Sequence, residues 1–229
     1  MPVQNLRWRV FQSLAELQAA AVADVLQAAN TAIASRGQFL ICLAGGLTPK
    51  SIYRGLRSGQ TDWSRWHVYY GDERCLPVDA ADRNSLMAET SLLRHVPIPA
   101  GQIHPIRAEL GPESAVEDYC GQLAGVGAFD CVLLGMGEDG HTASLFPGQV
   151  WEDPFRAPVI AVHNAPKPPL ERVTLVASRL SHARQVIFLL TGAGKRSSVR
   201  RWRDGAALPV AAIKPLNGVD VYLDAAADS

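Results

Sequence analysis

The 229-residue sequence predicts an α/β fold, a mainly parallel β-sheet with helices on both faces. Three observations carry this. Short continuous apolar runs, QFLICLA (38–44), FDCVLLG (129–135) and QVIFLLT (185–191), read as strands buried on both sides. Helical segments lie between most of the strand signals. Glycine-bearing loops follow the runs directly, and at GGLTP (45–49) such a loop leads into helix-start chemistry, which makes a βα unit. The length suits one domain over 1–229.

Taken in order, Ser13 and Glu16 form a capping box that opens a long Ala/Leu-rich helix, and Gly37 stands where its C-terminal cap belongs. Strand 38–44 leads into GGLTP, with Thr48 as N-cap and Pro49 at the first helical position. WHVYYGDER (66–74) repeats the strand signal, DRNSLMAETSLLRHV (82–96) reads as a helix, and a further helix over 113–124 precedes strand 129–135. Strands follow at VIAVH (159–163), RVTLVA (172–177), 185–191 and VDVYLD (219–224), with a helix near 194–203. PKPP (166–169) links two strands and is too short to divide domains.

Composition removes several classes of function. Lys plus Arg equals Asp plus Glu at 22 each, so no basic excess exists to collect phosphates along a nucleic acid. The amino-terminal segment lacks a basic stretch followed by an apolar one, and the alanine-rich stretch after it is broken by Asp24, Gln27 and Asn30, so neither export nor a membrane partner is expected. Cys42, Cys75, Cys120 and Cys131 have no C-x-x-C spacing; they read as thiols of a reducing, cytoplasmic compartment, without disulfides or zinc.

In parallel sheets ligands bind beyond the carboxyl ends of the strands, which directs attention to four loops. In GGLTP, Gly45 and Gly46 allow close backbone approach and Thr48 opens a helix whose N-terminus favours an anion; an ordinary capped turn has the same residues. In GDER, Arg74 is suited to grip a phosphate or carboxylate and Asp72 to hold a sugar hydroxyl or orient the arginine, whereas the bland alternative is a solvated charged turn. TGAGK (191–195) is not a P-loop, because Leu189 replaces its first glycine and Arg196 its hydroxyl residue; Lys195 remains a point charge for one phosphate. GMGEDGH (135–141) contains G-x-G-x-x-G but lies past the chain's midpoint. The next strand ends in His163, and the acids Glu152 and Asp153 fall before it, so the spacing of a dinucleotide fingerprint is not met. What that fingerprint leaves unexplained is His141, which follows three glycines where a general base needs its substrate to come close. No G-x-S-x-G elbow is present, so Ser144 reads as a polar turn residue, and no H-E-x-x-H occurs.

Taken together, GGLTP, GDER, GMGEDGHTASLFPG, PKPPLERVT and TGAGK resemble, in order and spacing, the 6-phosphogluconolactonases over residues 40–200. That family shares a modified Rossmann-like α/β fold with the glucosamine-6-phosphate isomerase/deaminases. The resemblance implies hydrolysis of 6-phospho-D-glucono-1,5-lactone to 6-phospho-D-gluconate in the oxidative pentose phosphate pathway, by a monomer needing neither metal nor cofactor. It makes His141 the general base and gives the phosphate to Arg74, Lys195 and the Gly45-Gly46-Thr48 turn, with Arg172 as a further candidate. Asp72 would orient the sugar or His141, and amides of Gly135, Gly137 and Gly140 are oxyanion donors to be considered. Leu47 and Arg196 depart from the family pattern without removing a chemical group. Three alternatives stand beside this reading: a deaminase of the same fold, whose third loop carries a Glu before the Pro that is missing here, a non-enzymatic phosphosugar sensor, and a dehydrogenase.

Overall fold

The computed structural model describes residues 4–152 and 157–228; Asp153 and the first three residues of the amino-terminal segment lie outside them. In chain order the elements are β1 (Leu6–Phe11), α1 (Leu14–Arg36), β2 (Phe39–Leu43), α2 (Leu47–Leu56), β3 (Trp66–Tyr70), β4 (Asp72–Arg74), α3 (Asn84–Ser91), α4 (Pro112–Gln122), β5 (Phe129–Leu134), β6 (Val159–Val162), β7 (Arg172–Leu175), α5 (Ala177–Ser181), β8 (Ala183–Leu190), α6 (Arg196–Arg203), α7 (Pro209–Ala212), β9 (Val219–Asp224) and α8 (Ala225–Asp228). Six strands form a sheet in the order β1-β9-β8-β5-β2-β3, every neighbouring pair parallel.

Local chemistry explains the first helix. The Ser13 side chain accepts from the Glu16 amide, and Gly37 closes the helix at φ 77° with its N–H on the Ile33 carbonyl. The Glu16 carboxylate takes the Gln12 amide instead of the Ser13 amide that a reciprocal box would use. Leu17, Ala21, Val25, Ala29 and Ala32 form its fully buried stripe, whose small side chains let the helix lie close to the sheet. β5 is buried at every position, as a strand covered on both faces must be.

The predicted sheet needs three corrections. β1, the alternating LRWRVF, is an additional edge strand, and its Arg7 and Arg9 give it a polar signal that hides it among longer apolar runs. The 66–74 segment is two strands. Gly71 breaks it, donating to the Leu43 carbonyl and accepting from the Leu175 amide, so that one glycine joins the two sheets. The segments at 159–163 and 172–177 contribute β6 and β7, which pair with β4 as a separate antiparallel sheet, β4-β7-β6. The link through PKPP has no room for the crossover helix that a parallel pair requires.

From β2 the chain crosses through α2 to β3 on one side, whereas β5, next to β2, leads to the β8 side. The sheet therefore changes winding direction between β2 and β5, and loops 45–46 and 135–141 emerge side by side at that crevice.

Candidate active site

A cavity of about 260 Å³ opens at this crevice, lined by Gly45, Gly46, Asp72, Arg74, Gly135, Gly137, His141, Arg172 and Lys195 from the sequence reading. Asn84, Glu138 and Lys167 also reach it.

His141 is held by its own turn. Gly137 donates its amide to the His141 carbonyl at 2.8 Å and Gly140 its amide to the Gly137 carbonyl at 3.0 Å, which folds loop 135–141 back on itself. Nδ1 of His141 lies 2.5 Å from Oδ1 of Asp139, and the same oxygen takes the His141 amide at 3.2 Å. A carboxylate there fixes the proton on Nδ1 and leaves Nε2 as the acceptor. Burial pulls the Asp139 carboxyl upward, but the amide, charge and ring of His141 together outweigh it and hold the group below its ordinary value. Phe146 packs against the imidazole, ring centres 4.8 Å apart. A Cβ on Gly137 would come within 2.1 Å of the ring, so the absence of a side chain there makes room for the base.

Among the described residues Asp72 makes no hydrogen bond to His141. Its two oxygens accept from Ser144 Oγ at 2.6 Å and Asn84 Nδ2 at 3.1 Å. Ser144 is thus a buried bracket for Asp72, and a Cβ on Gly45 would strike the Asn84 amide at 2.0 Å.

The cations come from three directions. Arg74 and Arg172 are register partners across the β4–β7 ladder. Arg74 donates to the Asp82 carbonyl, while its buried Nε has no hydrogen-bond partner among the described residues, a group ready for an anion. Arg172 is buried and donates to the carbonyls of Lys167, Pro168 and Pro169, which anchors the segment that delivers Lys167. Burial pushes its guanidinium below the usual arginine range and Asp72 pulls it back. At Lys195 burial is again the largest influence and lowers the ammonium; Glu138 opposes this and Lys167 reinforces it.

Three expectations change. Helix α2 begins at Leu47 with Gly46 at the cap, φ 109°, a conformation open to glycine that starts the helix earlier than a Thr48 cap would. Thr48 bonds the Thr191 hydroxyl at 2.7 Å and is not among the cavity residues. Among the oxyanion candidates, the amides of Gly137 and Gly140 are used within the loop, and Gly140 is packed on Leu208 outside the cavity. Gly135 is the one of the three whose nitrogen the loop's own bonds do not occupy.

Sequence reasoning missed Asp139, Asn84, Glu138 and Lys167 as site residues. Asp139 had a signal, an acid two residues before the histidine in a glycine turn. Lys167 had only its place between prolines, and Asn84 had none, since its role depends on two sheets meeting.

The family model of glucosamine-6-phosphate isomerases/6-phosphogluconolactonase matches residues 12–222. The chain is 36% identical to the 6-phosphogluconolactonase of Rattus norvegicus over 95% of this chain and 91% of the relative. It is 37% identical to the probable chloroplastic 6-phosphogluconolactonase 4 of Oryza sativa subsp. japonica over 73% of its own length, and it spans 57% of that relative. The solved structure of 6-phosphogluconolactonase from Trypanosoma brucei superposes with a TM-score of 0.85 over 97% of both chains at 29% identity.

Proposed function

Because the chain belongs to the glucosamine-6-phosphate isomerase/6-phosphogluconolactonase family, we propose that it hydrolyses 6-phospho-D-glucono-1,5-lactone to 6-phospho-D-gluconate. The observation that carries this is a histidine backed by a carboxylate, His141 on Asp139, in the same cavity as Arg74, Lys167, Arg172 and Lys195. Nε2 takes a proton from water as the oxygen attacks the lactone carbonyl. The imidazolium is then stabilised by Asp139, and its proton passes to the departing ring oxygen as the tetrahedral intermediate opens. The Gly135 amide is the donor offered to the oxyanion. The cations bind the phosphate, with Arg74 and Lys195 as its principal contacts and Arg172 holding Lys167 in place. Asp72, fixed by Ser144 and Asn84, receives a sugar hydroxyl. A strained cyclic ester needs neither a covalent nucleophile nor a metal.

Deamination of an amino sugar phosphate is the weaker reading. The residue before Pro147 is Phe146, so the imidazole meets an apolar ring on that side, not a second carboxylate. No helix among the described residues is long and apolar enough to cross a membrane. A single-domain monomer acting in the cytoplasm is the form we propose, and sedimentation tests its size. Freshly prepared phosphogluconolactone incubated with the protein should release acid far faster than the buffer blank. Ammonia from glucosamine 6-phosphate, or binding without turnover, would overturn the assignment.

A further inference from the structure

The cavity attracts a dianion less strongly than its cations suggest. Arg74, Lys167, Arg172 and Lys195 stand against Asp72 and Glu138 on its lining and Asp139 behind His141, and the whole chain is formally neutral. Such a balance has little reach into solution. The segment that leaves the cavity is different: KRSSVRRWR, residues 195–203, carries five cations and no acid.

Its geometry connects that charge to the site. Lys195 lines the cavity and caps α6, and Ser198 on the first turn of that helix bonds the Glu138 carbonyl. Ser198, Val199 and Trp202 are the buried face, whereas Arg196, Arg200 and Arg201 are exposed. Arg196 donates to the Ala226 carbonyl, and among the described residues none of Arg196, Arg200 and Arg201 forms an ion pair. Arg203, at the far end, is neutralised by Asp228, and Asp204 follows it. The cations without an ion pair thus lie on the helix between Arg203 and the cavity, with Asp224, held by the Gly192 and Ala227 amides, as an acid at its near end. At about 1.5 Å per residue, Arg200 and Arg201 stand about 7–9 Å along the axis from Lys195, close to the Debye length of about 8 Å at physiological ionic strength. Their fields therefore overlap at the mouth instead of being screened apart.

We propose that Arg196, Arg200 and Arg201 form an electrostatic approach path that selects phosphorylated lactones by drawing the dianion toward Lys195, without touching the bound substrate. This rests on the phospholactonase reading, and it assigns to an exposed helix face a share of the preference for phosphate. Fixed charge on a surface raises encounter and local concentration of an opposite charge in a salt-dependent way.

The test measures kcat/KM for phosphogluconolactone and for unphosphorylated gluconolactone across ionic strength, in wild type and in Arg200→Gln/Arg201→Gln. In wild type the phosphorylated substrate alone should lose kcat/KM as salt rises. The double variant should fall about three- to tenfold below wild type at ~10 mM salt and converge with it to within about twofold at 0.5 M, with kcat unchanged and the neutral lactone unaffected. Equal salt dependence for both lactones in wild type, or a variant deficit that persists at 0.5 M, overturns the approach path. Failure to hydrolyse the phosphorylated lactone at any salt overturns the functional reading instead.

Discussion

Oδ1 of Asp139 accepts from Nδ1 of His141 at 2.5 Å, two residues apart in one glycine turn, so base and orienter are built by a single loop. Replacing Asp139 with Asn keeps the size but lets the ring present the wrong tautomer. We expect kcat to fall at least about a hundredfold, within the 10²–10⁴ range of general-base assistance, with KM nearly unchanged. His141→Asn should lose as much, and the double variant little more, since the two act as a unit. A drop under tenfold in either single variant would remove the pair from the chemistry.

The same contact has an acid limit. The Asp139 carboxyl is held below its ordinary value in the folded protein, so its stabilising contribution is complete above about pH 4 and is lost as pH falls through the lower folded value. Urea titrations of wild type and Asp139→Asn should differ at pH 6, and the gap should close as the pH falls below the ordinary carboxylate range. A gap that widens on acidification would contradict the assigned direction.

Gly137→Ala tests the space kept for the imidazole. Its Cβ would lie 2.1 Å from the ring and 2.5 Å from Oδ1 of Asp139, so the dyad must move. A displacement of about 1 Å costs on the order of a hundredfold in rate. The measurement is kcat together with the His141 imidazole resonances; unchanged shifts and unchanged kcat would mean the turn relaxes freely.

Glu73 shows why part of this site was legible in sequence and part was not. GDER reads as a charged loop after a strand, and Asp72 and Arg74 do face the cavity. The glutamate between them is fully buried. It accepts from the amides of Arg74, Asn84 and Ser85 at 2.8–2.9 Å, thereby capping α3 from a distance, and forms an ion pair with Nε of Arg83 at 3.4 Å without a hydrogen bond. Nothing local marks that role, because it depends on α3 packing back onto β4. His141, by contrast, was visible because glycines and the preceding strand fix its setting within seven residues, as the 38–44 and 219–224 runs fixed β2 and β9. The antiparallel sheet was hidden for the same reason as Glu73: periodicity reports burial, not the direction of a partner strand. Glu73→Ala should accordingly destabilise the fold by about 3–5 kcal/mol, the range for breaking a buried ion pair, and chemical denaturation measures it. A loss below about 1 kcal/mol would show that α3 finds other caps.

The phosphate assignment is best tested by comparing substrates, because a damaged fold slows both lactones and a lost phosphate contact slows one. Arg74→Ala or Lys195→Ala removes a charge-assisted contact worth about 1.5–3 kcal/mol, so kcat/KM for the phosphorylated lactone should fall about ten- to a hundredfold or more. The unphosphorylated lactone never uses those contacts and should hardly change. Arg172→Ala should behave differently. It frees the carbonyls of 167–169 and so loosens Lys167 while also leaving Asp72 without its buried neighbour, which predicts lower thermal stability as well as a reduced phosphate preference. His141→Asn should slow both substrates by similar factors, since it acts on the carbonyl they share. Phosphogluconate binding adds a check on Lys195: burial lowers its ammonium below the ordinary lysine range, so affinity should decline as pH rises before that range is reached, and Lys195→Arg should move that decline upward. Equal losses on the two lactones for Arg74→Ala and Lys195→Ala, with binding flat across that range, would place the phosphate elsewhere in the cavity.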